Sequence, residues 1–368
     1  MFLEDVVIKR FLKHIKIDSE TGNEKEFYEM LLEELKELGA EVSVDDAGKS
    51  NHSNANNIYA TFRGNEENEP LVFSCHMDTV KPGKNIETVI ENGIIRSKGE
   101  TILGSDDKSG ITALMGSIEE IIKNNENHLT VQFIFTISEE NGLNGSKSLD
   151  YTKIIGNKCL VLDSSGPIGK IITKAPAQNK ITAIIKGRSA HAGLTPEKGI
   201  SAIMVGTEAI SNMKLLRIDE DTTANIGVFE AKGATNIVSE NATIVGEIRS
   251  LEQYKIEMQT KHMQVCFEEA AHKFGASVNI EVEKMYDAFN IDENDKIVQF
   301  VIKHCERIGV KPFVTSSGGG SDANIYNSKG FKSLNLGCGV NNAHSTEEYI
   351  EIKDLVDLTK LVYYMIKI

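Results

Sequence analysis

The sequence predicts an α/β protein with a sheet buried on both faces and a second, smaller α+β domain inserted into it. Three observations predict this fold. Apolar runs of strand length alternate with amphipathic helices towards both ends of the chain. The middle of the chain has the order β-α-β-β-α-β, and 368 residues exceed the size of one typical core. The predicted outer domain covers residues 1–177 and 287–368, and the inserted domain covers residues 178–286.

The first segment of the outer domain begins with a helix predicted over residues 25–38, where apolar residues recur at helical spacing before Gly39. The β-rich runs that follow it are NIYATF, PLVFSCHMD, TVQFIFTISEE and CLVLDSSG. Between the second and third of these runs lies ITALMGSIEEIIKNN, whose apolar residues form a helical stripe. Strands that are apolar throughout and are joined by a helix are typical of a sheet buried on both faces.

The inserted domain has its own order of elements. From about residue 178 it reads as strand KITAIIKG, helix 199–213, strand NIGVFEAKG, strand ATIVGEIRS, helix 252–274 and strand SVNIEVEK. This is the split βαβ pattern, which forms a compact domain by itself. After about residue 287 helices and strands alternate again as in the outer domain, in DKIVQFVIKHCERIG, KPFVTSS, SLNLGCG and a final helix over 353–367.

Composition excludes some classes of function. Lys and Arg total 40 against 54 Asp and Glu, and the net charge of −14 argues against nucleic acid or an anionic membrane as the main partner. The first stretch, MFLEDVVIKRFLKHIKI, lacks the basic-then-apolar order of a signal peptide, and no apolar run reaches the ~20 residues of a membrane span. The five cysteines have no CxxC spacing, so we expect a reducing, cytoplasmic location.

Polar side chains follow the predicted strands. His76 and Asp78 lie on one face of the PLVFSCHMD strand because side chains alternate along a strand, and alone they would be an ordinary surface pair. Other carboxylates also lie at the ends of predicted elements. Asp106 and Asp107 precede the ITALMG helix, and Glu139, Glu140 and Asp163 lie at strand ends. Each of these also has an ordinary explanation, as a helix cap, a solvated acidic pair or a turn former.

Their common position favours a functional site. Ligands bind at the carboxyl ends of the strands in open α/β sheets, and most of these residues fall there. His344, in the polar stretch NNAHSTEEYI, adds a second histidine near the final helix. Two histidines with several carboxylates and no thiolate suit Zn²⁺, Mn²⁺ or Co²⁺.

The motifs HMD, GSDDKSG, SEENG, VLD and AHSTEE occur in this order, with the inserted domain before the last. In this they resemble the co-catalytic zinc exopeptidases, a family that includes peptidase T, acetylornithine deacetylase and glutamate carboxypeptidases. The ending GGGSDAN…HSTEEYI is most similar to the peptidase T-like branch. The resemblance covers nearly the whole chain and implies a mixed sheet between helices, an inserted lid and dimerisation domain, and two Zn²⁺ per chain, or Mn²⁺ or Co²⁺.

The resemblance also implies a ligand set. His76 and Asp163 would bind one metal ion, Glu140 and His344 would bind the other, and Asp106 would bridge the two. The lysine of DDK aligns Asp106, rather than the adjacent Asp107, with the bridging ligand of the family. A cis peptide bond is implied between these two aspartates.

Further roles follow from the resemblance. Asp78 would orient His76, and Glu139 would be the general base. His191, in GRSAHAGLTPEKG, would stabilise the oxyanion from the partner subunit's inserted domain, which implies a homodimer. Asn236 and Arg249 would bind the carboxylate end of the substrate, and the glycine-rich SSGGGSDAN would let the backbone approach it. Without the resemblance, His191 would be an exposed loop histidine, and Arg249 an exposed residue of a β-hairpin.

The function predicted from these residues is a dimetal aminopeptidase that acts on short peptides such as tripeptides. An N-acyl-amino-acid deacylase or a carboxypeptidase with the same metals is the alternative within enzymes. A catalytically silent metal- or peptide-binding protein is the alternative of another class, and the presence of both the ligands and the base argues against it.

Overall fold

The computed structural model describes residues 4–64 and 68–368. The chain divides into two compact units. The first unit consists of Met1–Thr173, Asn290–Ser316 and Ser321–Ile368, and the second consists of Lys174–Phe289 and Ser317–Gly320. The second unit therefore contains a short return segment, Ser317–Gly320, besides the continuous middle part of the chain.

Helices and strands are numbered in chain order through both units. The helices are α1 (Glu4–Ile15), α2 (Lys25–Glu37), α3 (Ala47–Asn51), α4 (Ser105–Lys123), α5 (Asn144–Lys147), α6 (Ala202–Asn212), α7 (Gln253–Phe274), α8 (Lys296–Arg307), α9 (Asp322–Ser328) and α10 (Ile352–Ile366). The strands are β1 (Glu41–Val44), β2 (Ile58–Phe62), β3 (Leu71–His76), β4 (Thr88–Glu91), β5 (Ile94–Ser97), β6 (Val131–Thr136), β7 (Lys158–Ser164), β8 (Lys170–Ala175), β9 (Ala177–Lys186), β10 (Leu216–Arg217), β11 (Thr222–Glu230), β12 (Asn241–Ser250), β13 (Ser277–Tyr286), β14 (Phe289–Asn290), β15 (Phe313–Ser316), β16 (Lys332–Gly337), β17 (Val340–Asn341) and β18 (Tyr349–Glu351).

A mixed sheet forms the centre of the first unit, in the order β1-β2-β6-β3-β7-β16-β8-β14, with β15 beside β8. Strand β3 runs parallel to β6 and β7, and β16 runs parallel to β7. The pairs β1–β2, β2–β6 and β16–β8 are antiparallel. Strands β2, β3 and β6 are buried along their whole length, which confirms the predicted sheet between two layers.

The parallel strands fix where the functional residues meet. Because β3, β6, β7 and β16 run in the same direction, their carboxyl ends lie at one edge of the sheet. Helix α4 packs on β3 and β7, and its second and third residues, Asp106 and Asp107, contact His76 at the end of β3, so the start of α4 lies at the same edge. The fold thus gathers the residues that follow β3, β6 and β7 with those that open α4.

A small antiparallel sheet, β17-β18-β5-β4, was not anticipated by the sequence analysis. Its β4–β5 hairpin turns through Asn92 and Gly93, both of which have positive φ (51° and 79°). Asn-Gly is the residue pair that two-residue hairpin turns favour. The buried Ile95 of β5 packs into an apolar cluster with Val7 and Phe11 of α1, so this sheet is anchored on the first helix.

The second unit is an antiparallel sheet covered by two helices. Its strands have the order β10-β11-β12-β9-β13, and α6 and α7 pack on the sheet and on each other. Ile181, Ile244, Met263 and Phe267 belong to its buried apolar core. The elements β9, α6, β11, β12, α7 and β13 follow the predicted β-α-β-β-α-β order, and β10 is a short addition.

Two other observations bear on the environment of the chain. Among the residues that the structure describes, no helix combines the length and the apolar character needed to cross a lipid bilayer. All five cysteines are free and buried.

A buried polar network joins α1, α2 and α4. The ring of His14 is fully buried, with Nδ1 2.9 Å from the Thr112 hydroxyl and Nε2 3.5 Å from the Glu34 carboxylate. Glu34 also accepts hydrogen bonds from Arg10 and Lys13. Burial lowers the pKa of His14 from 6.5. For Glu34, burial opposes ionisation, but the contacts with His14, Lys13 and Arg10 outweigh it and lower the pKa from 4.5 to about 2.

This network predicts a loss of stability on acidification. Because the folded-state pKa of His14 is depressed, the unfolded chain binds the proton more readily, so stability falls as the pH drops below 6.5. Glu34 adds a further loss between pH 4.5 and about 2. We expect the wild type to lose more stability than His14→Gln between pH 7 and 5, because only the wild type carries an imidazole that binds a proton more readily in the unfolded chain. Urea unfolding at each pH measures this difference.

The matched control is His272→Gln, which replaces an exposed histidine of α7. It should follow the pH dependence of the wild type. Parallel curves for the wild type and His14→Gln would show that the buried imidazole does not control the acid response.

Candidate active site

His76 stands at the last position of β3 and is 1% exposed. Its Nδ1 donates to the main-chain oxygen of Asp78 at 2.8 Å, while the Asp78 carboxylate lies farther away, at 3.5 Å. Its Nε2 lies 3.1 Å from Asp106 Oδ1 and 3.5 Å from Asp163 Oδ1. The main chain that follows the strand therefore fixes the ring and directs Nε2 towards the two carboxylates.

Asp106 lies between two imidazoles. Its Oδ1 faces His76, and its Oδ2 lies 3.4 Å from Nε2 of His344. The same His344 Nε2 lies 2.9 Å from Glu140 Oε1. Two groups of side chains therefore share Asp106, one with His76 and Asp163 and the other with His344 and Glu140. His344 remains about half exposed, with 54% of its side chain accessible.

The Asp106–Asp107 step shapes the start of α4. The peptide bond is cis, as the resemblance implies, and both residues have non-helical dihedral angles, so regular helix follows them. Asp107 turns back towards β3, where its Oδ2 accepts the amide of His76 at 3.3 Å. Among the residues that the structure describes, none forms a hydrogen bond with its buried Oδ1. Asp107, His76 and Asp163 also form a group of potential metal ligands, and their ligand atoms lie within 4.8 Å of one another.

The carboxylate of Asp78 supports the loop that follows β6. It is fully buried and accepts the amide of Glu139 at 2.9 Å and that of Glu140 at 3.3 Å. It also accepts the Thr21 hydroxyl at 2.8 Å. Asp78 thus acts on His76 through its main chain, and on the two glutamates through its side chain.

Glu348 is a buried neighbour of the site that the sequence analysis did not single out. It is 1% exposed, and its Oε2 accepts the amides of Leu103 and Gly104 at 2.9 and 2.8 Å. Its Oε1 accepts the amide and hydroxyl of Ser105 at 2.7 and 2.6 Å, and the amide of Asp106 at 3.1 Å. Glu348 follows His344 in the HSTEE motif, so one loop supplies a histidine and caps the loop that carries Asp106.

The electrostatics of this cluster show an excess of buried acid. Burial, and then the charge of Asp163, raises the pKa of Glu139 well above its ordinary value. Burial also raises the pKa of Asp163 to about 7. For His76, burial opposes the charge, but hydrogen bonds to Asp106 and Asp163 prevail and raise the pKa well above 6.5. Two histidines do not neutralise these carboxylates, so divalent cations fit the site by charge as well as by donor chemistry.

The residues predicted in the inserted domain lie in the second unit. His191 and Asn236 are exposed on neighbouring loops, where the amide of Ala192 donates to the Asn236 carbonyl at 2.9 Å. The Nδ1 of His191 accepts the amides of Gly193 and Leu194 at 3.1 and 3.2 Å. The proton of the neutral ring therefore lies on Nε2.

Arg249 has a partner that the sequence analysis missed. Its Nε and Nη2 bind the two carboxylate oxygens of Glu247 at 3.0 and 3.1 Å. Gln178 donates to the same carboxylate at 2.7 Å. The return segment lies beside the guanidinium, since a Cβ placed on Gly319 would be 3.6 Å from Nη1. Glu247 and Arg249 lie on one face of β12, a spacing that alternation along a strand could have revealed.

Comparison with known proteins identifies relatives along the whole chain. The family model "Peptidase family M20/M25/M40" matches residues 72–368. The uncharacterized protein YqjE of Bacillus subtilis strain 168 is 41% identical and covers 100% of this chain and 99% of its own length. A tripeptidase from Staphylococcus aureus Mu50 has a TM-score of 0.96 and 38% identity, covering 100% of this chain and 98% of that chain. Aminopeptidase PepT from Bacillus cereus ATCC 10987 has a TM-score of 0.91 and 39% identity, and the match covers 99% of this chain and 98% of that chain.

The Glu348 cap predicts an effect on metal affinity without a change of ligand. Glu348→Gln places an amide NH₂ against main-chain donors, so the loop that carries Asp106 loses hydrogen bonds on one side. We expect Zn²⁺ affinity to fall about 10–100-fold, the usual scale for groups that support a ligand. Competition with a chromophoric chelator measures it.

Glu347→Gln is the control, because Glu347 is the exposed neighbour of Glu348 and carries the same charge. Its affinity for Zn²⁺ should match the wild type. Equal affinities for all three proteins would show that the cap is not needed to hold Asp106.

Proposed function

The chain belongs to peptidase family M20/M25/M40, and from that premise we propose that it is a dimetal aminopeptidase that removes the N-terminal residue of short peptides, tripeptides in particular. The tripeptidase of Staphylococcus aureus and the aminopeptidase PepT of Bacillus cereus, both alike over nearly the full chain, support this choice. The free cysteines are in keeping with a reducing cytoplasm, where we place the enzyme.

The observation that carries the proposal is the position of Asp106. Each of its carboxylate oxygens faces a different imidazole, that of His76 or that of His344. Asp163 and Glu140 complete the two groups on opposite sides. We propose that one divalent ion is held by His76 and Asp163, a second by His344 and Glu140, and that Asp106 bridges them. Zn²⁺, Mn²⁺ and Co²⁺ suit these donors.

The chain's own residues perform the proton transfers in this proposal. When bound, the two ions polarise the scissile carbonyl and acidify the attacking water. Glu139 accepts a proton from that water and delivers it to the leaving amine nitrogen. The hydrogen bond from its amide to Asp78 holds Glu139 beside the ligands. Its raised pKa in the metal-free chain favours holding a proton, and bound cations would lower that pKa towards neutrality.

Residues of the second unit supply the remaining contacts. His191 donates from Nε2 to the oxyanion of the tetrahedral intermediate, and the two amides at Nδ1 fix the required tautomer. Arg249 binds the terminal carboxylate of the peptide, with Glu247 holding one edge of the guanidinium and the return segment beside the other. Asn236 binds the same carboxylate end of the substrate.

We propose a homodimer formed through the second unit. Residues 225–230 of β11 extend past the short β10, so within the described part of the chain this stretch pairs only with β12 and leaves its other edge open. Val228 and Phe229 on this edge are 46% and 40% exposed, and Ile203 and Met204 at the start of α6 are 44% and 59% exposed. Pairing of two such edges would cover apolar side chains and bring His191 to an active site of the other subunit.

A substrate panel tests the proposed activity. The Zn²⁺-loaded protein should cleave trialanine and release free alanine, and should be far less active on N-acetyl-trialanine and on trialanine amide, because the free amine and the carboxylate are both recognised. Amino acid analysis of the products measures this. Turnover of N-acetyl amino acids or N-blocked peptides alone would establish a deacylase or carboxypeptidase, and two bound metals with no turnover would establish a binding protein.

The control for chemistry is Glu139→Ala. It should keep two metal ions per chain while kcat on trialanine falls at least about 10²-fold, the usual contribution of a positioned base. Glu140→Ala should lose metal instead. The opposite pattern would exchange the roles of the two glutamates.

Subunit mixing tests the role of His191. His191→Ala and Glu139→Ala chains should each be inactive, but heterodimers of the two should regain activity, since one of their two sites contains both an intact base and an intact donor. Tagged chains purified as heterodimers measure the rescue. Heterodimers with no activity would place His191 in its own subunit's site or outside the chemistry.

A further inference from the structure

The connection between α1 and α2 lies against the main chain that follows β3. The amide of Thr79 donates to the carbonyl of Ser19 at 2.9 Å, and the amide of Thr21 donates to the carbonyl of Thr79 at 3.1 Å. The hydroxyl of Thr21 reaches the carboxylate of Asp78. This connection, Ser19–Glu24, is therefore bound directly to Asp78, which holds the loop after β6 (residues 137–143, called the base loop because it carries Glu139).

Glu24 makes a second link from the same segment, to the residue before the base. It is fully buried, and its Oε1 accepts the amide and the hydroxyl of Ser138, each at 3.2 Å. The same oxygen accepts the amide of Gly22 at 2.9 Å. Its Oε2 accepts the hydroxyl of Ser53 at 2.7 Å. Both hydrogen-bond donors of Ser138, its amide and its hydroxyl, thus contact one carboxylate oxygen.

Ser138 has the backbone conformation that most needs such support. Its φ of 48° lies in the left-handed region, which residues with a Cβ rarely adopt. It is 1% exposed and immediately precedes Glu139. Such a conformation persists only where neighbouring groups over-determine it. Reversal of this one dihedral angle would send the side chain of Glu139 in another direction.

We propose that Glu24 is a positioning residue for the hydrolysis: it clamps Ser138 in the left-handed conformation and thereby directs the carboxylate of Glu139 towards the attacking water. This inference rests on the proposed role of Glu139 as the general base. It adds a second carboxylate that holds the base loop, besides that of Asp78, and it gives the α1–α2 connection a part in catalysis.

Two substitutions of Glu24 distinguish the loss of its hydrogen bonds from the loss of its negative charge. Glu24→Gln keeps an oxygen for the donors of Ser138 and Gly22, and its NH₂ can donate to the Ser53 hydroxyl, so much of the geometry survives. Glu24→Met has similar length but accepts nothing. On trialanine with Zn²⁺, Glu24→Met should lower kcat about 10-fold or more with little change in KM, since small displacements of catalytic groups act on the chemical step. Glu24→Gln should lose much less.

Rescue by glycine distinguishes positioning from a general loss of structure. Glycine adopts positive φ at no steric cost, so Ser138→Gly added to Glu24→Met should recover a substantial part of kcat. Glu34→Met is the control, because it removes another buried acid with several donors, from the α1–α2–α4 network. It should lower stability and leave kcat unchanged.

Amide hydrogen exchange of the metal-free protein gives a readout independent of activity. Exchange of the peptide covering residues 137–143 should accelerate in Glu24→Met and remain as in the wild type in Glu34→Met. If Glu24→Met does not fold, Ser138→Ala and Ser138→Gly decide: the alanine variant loses a clamp bond and keeps the strain, so its kcat should be the lower.

The outcomes are separable from those of the proposed function. A wild type that cleaves none of the peptides refutes the proposed activity, and exchange at 137–143 still decides on the clamp. Active wild type, impaired Glu139→Ala and an unimpaired Glu24→Met would overturn the clamp alone. A loss of kcat in Glu24→Met that glycine at position 138 does not relieve would overturn it as well.

Discussion

Repulsion among buried carboxylates at one edge of the sheet is the constraint on which the site depends. Asp78, Asp106, Asp107 and Glu139 are all at most 9% exposed, and Asp163 lies among them. The fold opposes this repulsion mainly with main-chain amides, which carry no net charge and hold fixed directions. Asp78 receives the amides of the base loop, Glu348 receives those of the loop before α4, and the histidines oppose the remaining acids. Asp78 and Glu348, which support loops, thus receive several main-chain donors. The carboxylates that face the imidazoles remain available to bind cations.

The general architecture and the central cluster could be predicted from the sequence because they depend on local patterns. Continuous apolar strands, a split βαβ order and acidic residues at strand ends are visible without knowing any contact. The small sheet was missed although Asn92-Gly93 marks its hairpin, because its strands are too short to show periodicity. Glu348 was missed for another reason. Two adjacent glutamates in HSTEE are indistinguishable in sequence, and only the fold shows that one is exposed and the other caps a loop.

The second unit shows the same limit in a different form. The pairing of Glu247 with Arg249 follows from alternation along the strand, but the neighbours of this pair, Gln178 and Gly319, come from distant parts of the chain that only the fold brings together. The contact leaves the charge of the guanidinium partly compensated before any ligand arrives. A substrate carboxylate would bind a guanidinium whose orientation is already fixed, which lowers the entropic cost of binding. It would also have to share the guanidinium with the carboxylate of Glu247.

The order in which the proposed metal ligands are synthesised has a consequence for the maturation of the site. His76, Asp106, Glu140 and Asp163 are all synthesised before the second unit, whereas His344 and Glu348 come after it. A nascent chain that has completed the second unit therefore still lacks the cap of the Asp106 loop and half of the imidazoles. The growing polypeptide lacks both residues until the segment between β17 and β18 of the small sheet has been added, so we expect hydrolysis of peptides only when synthesis of the chain is nearly complete.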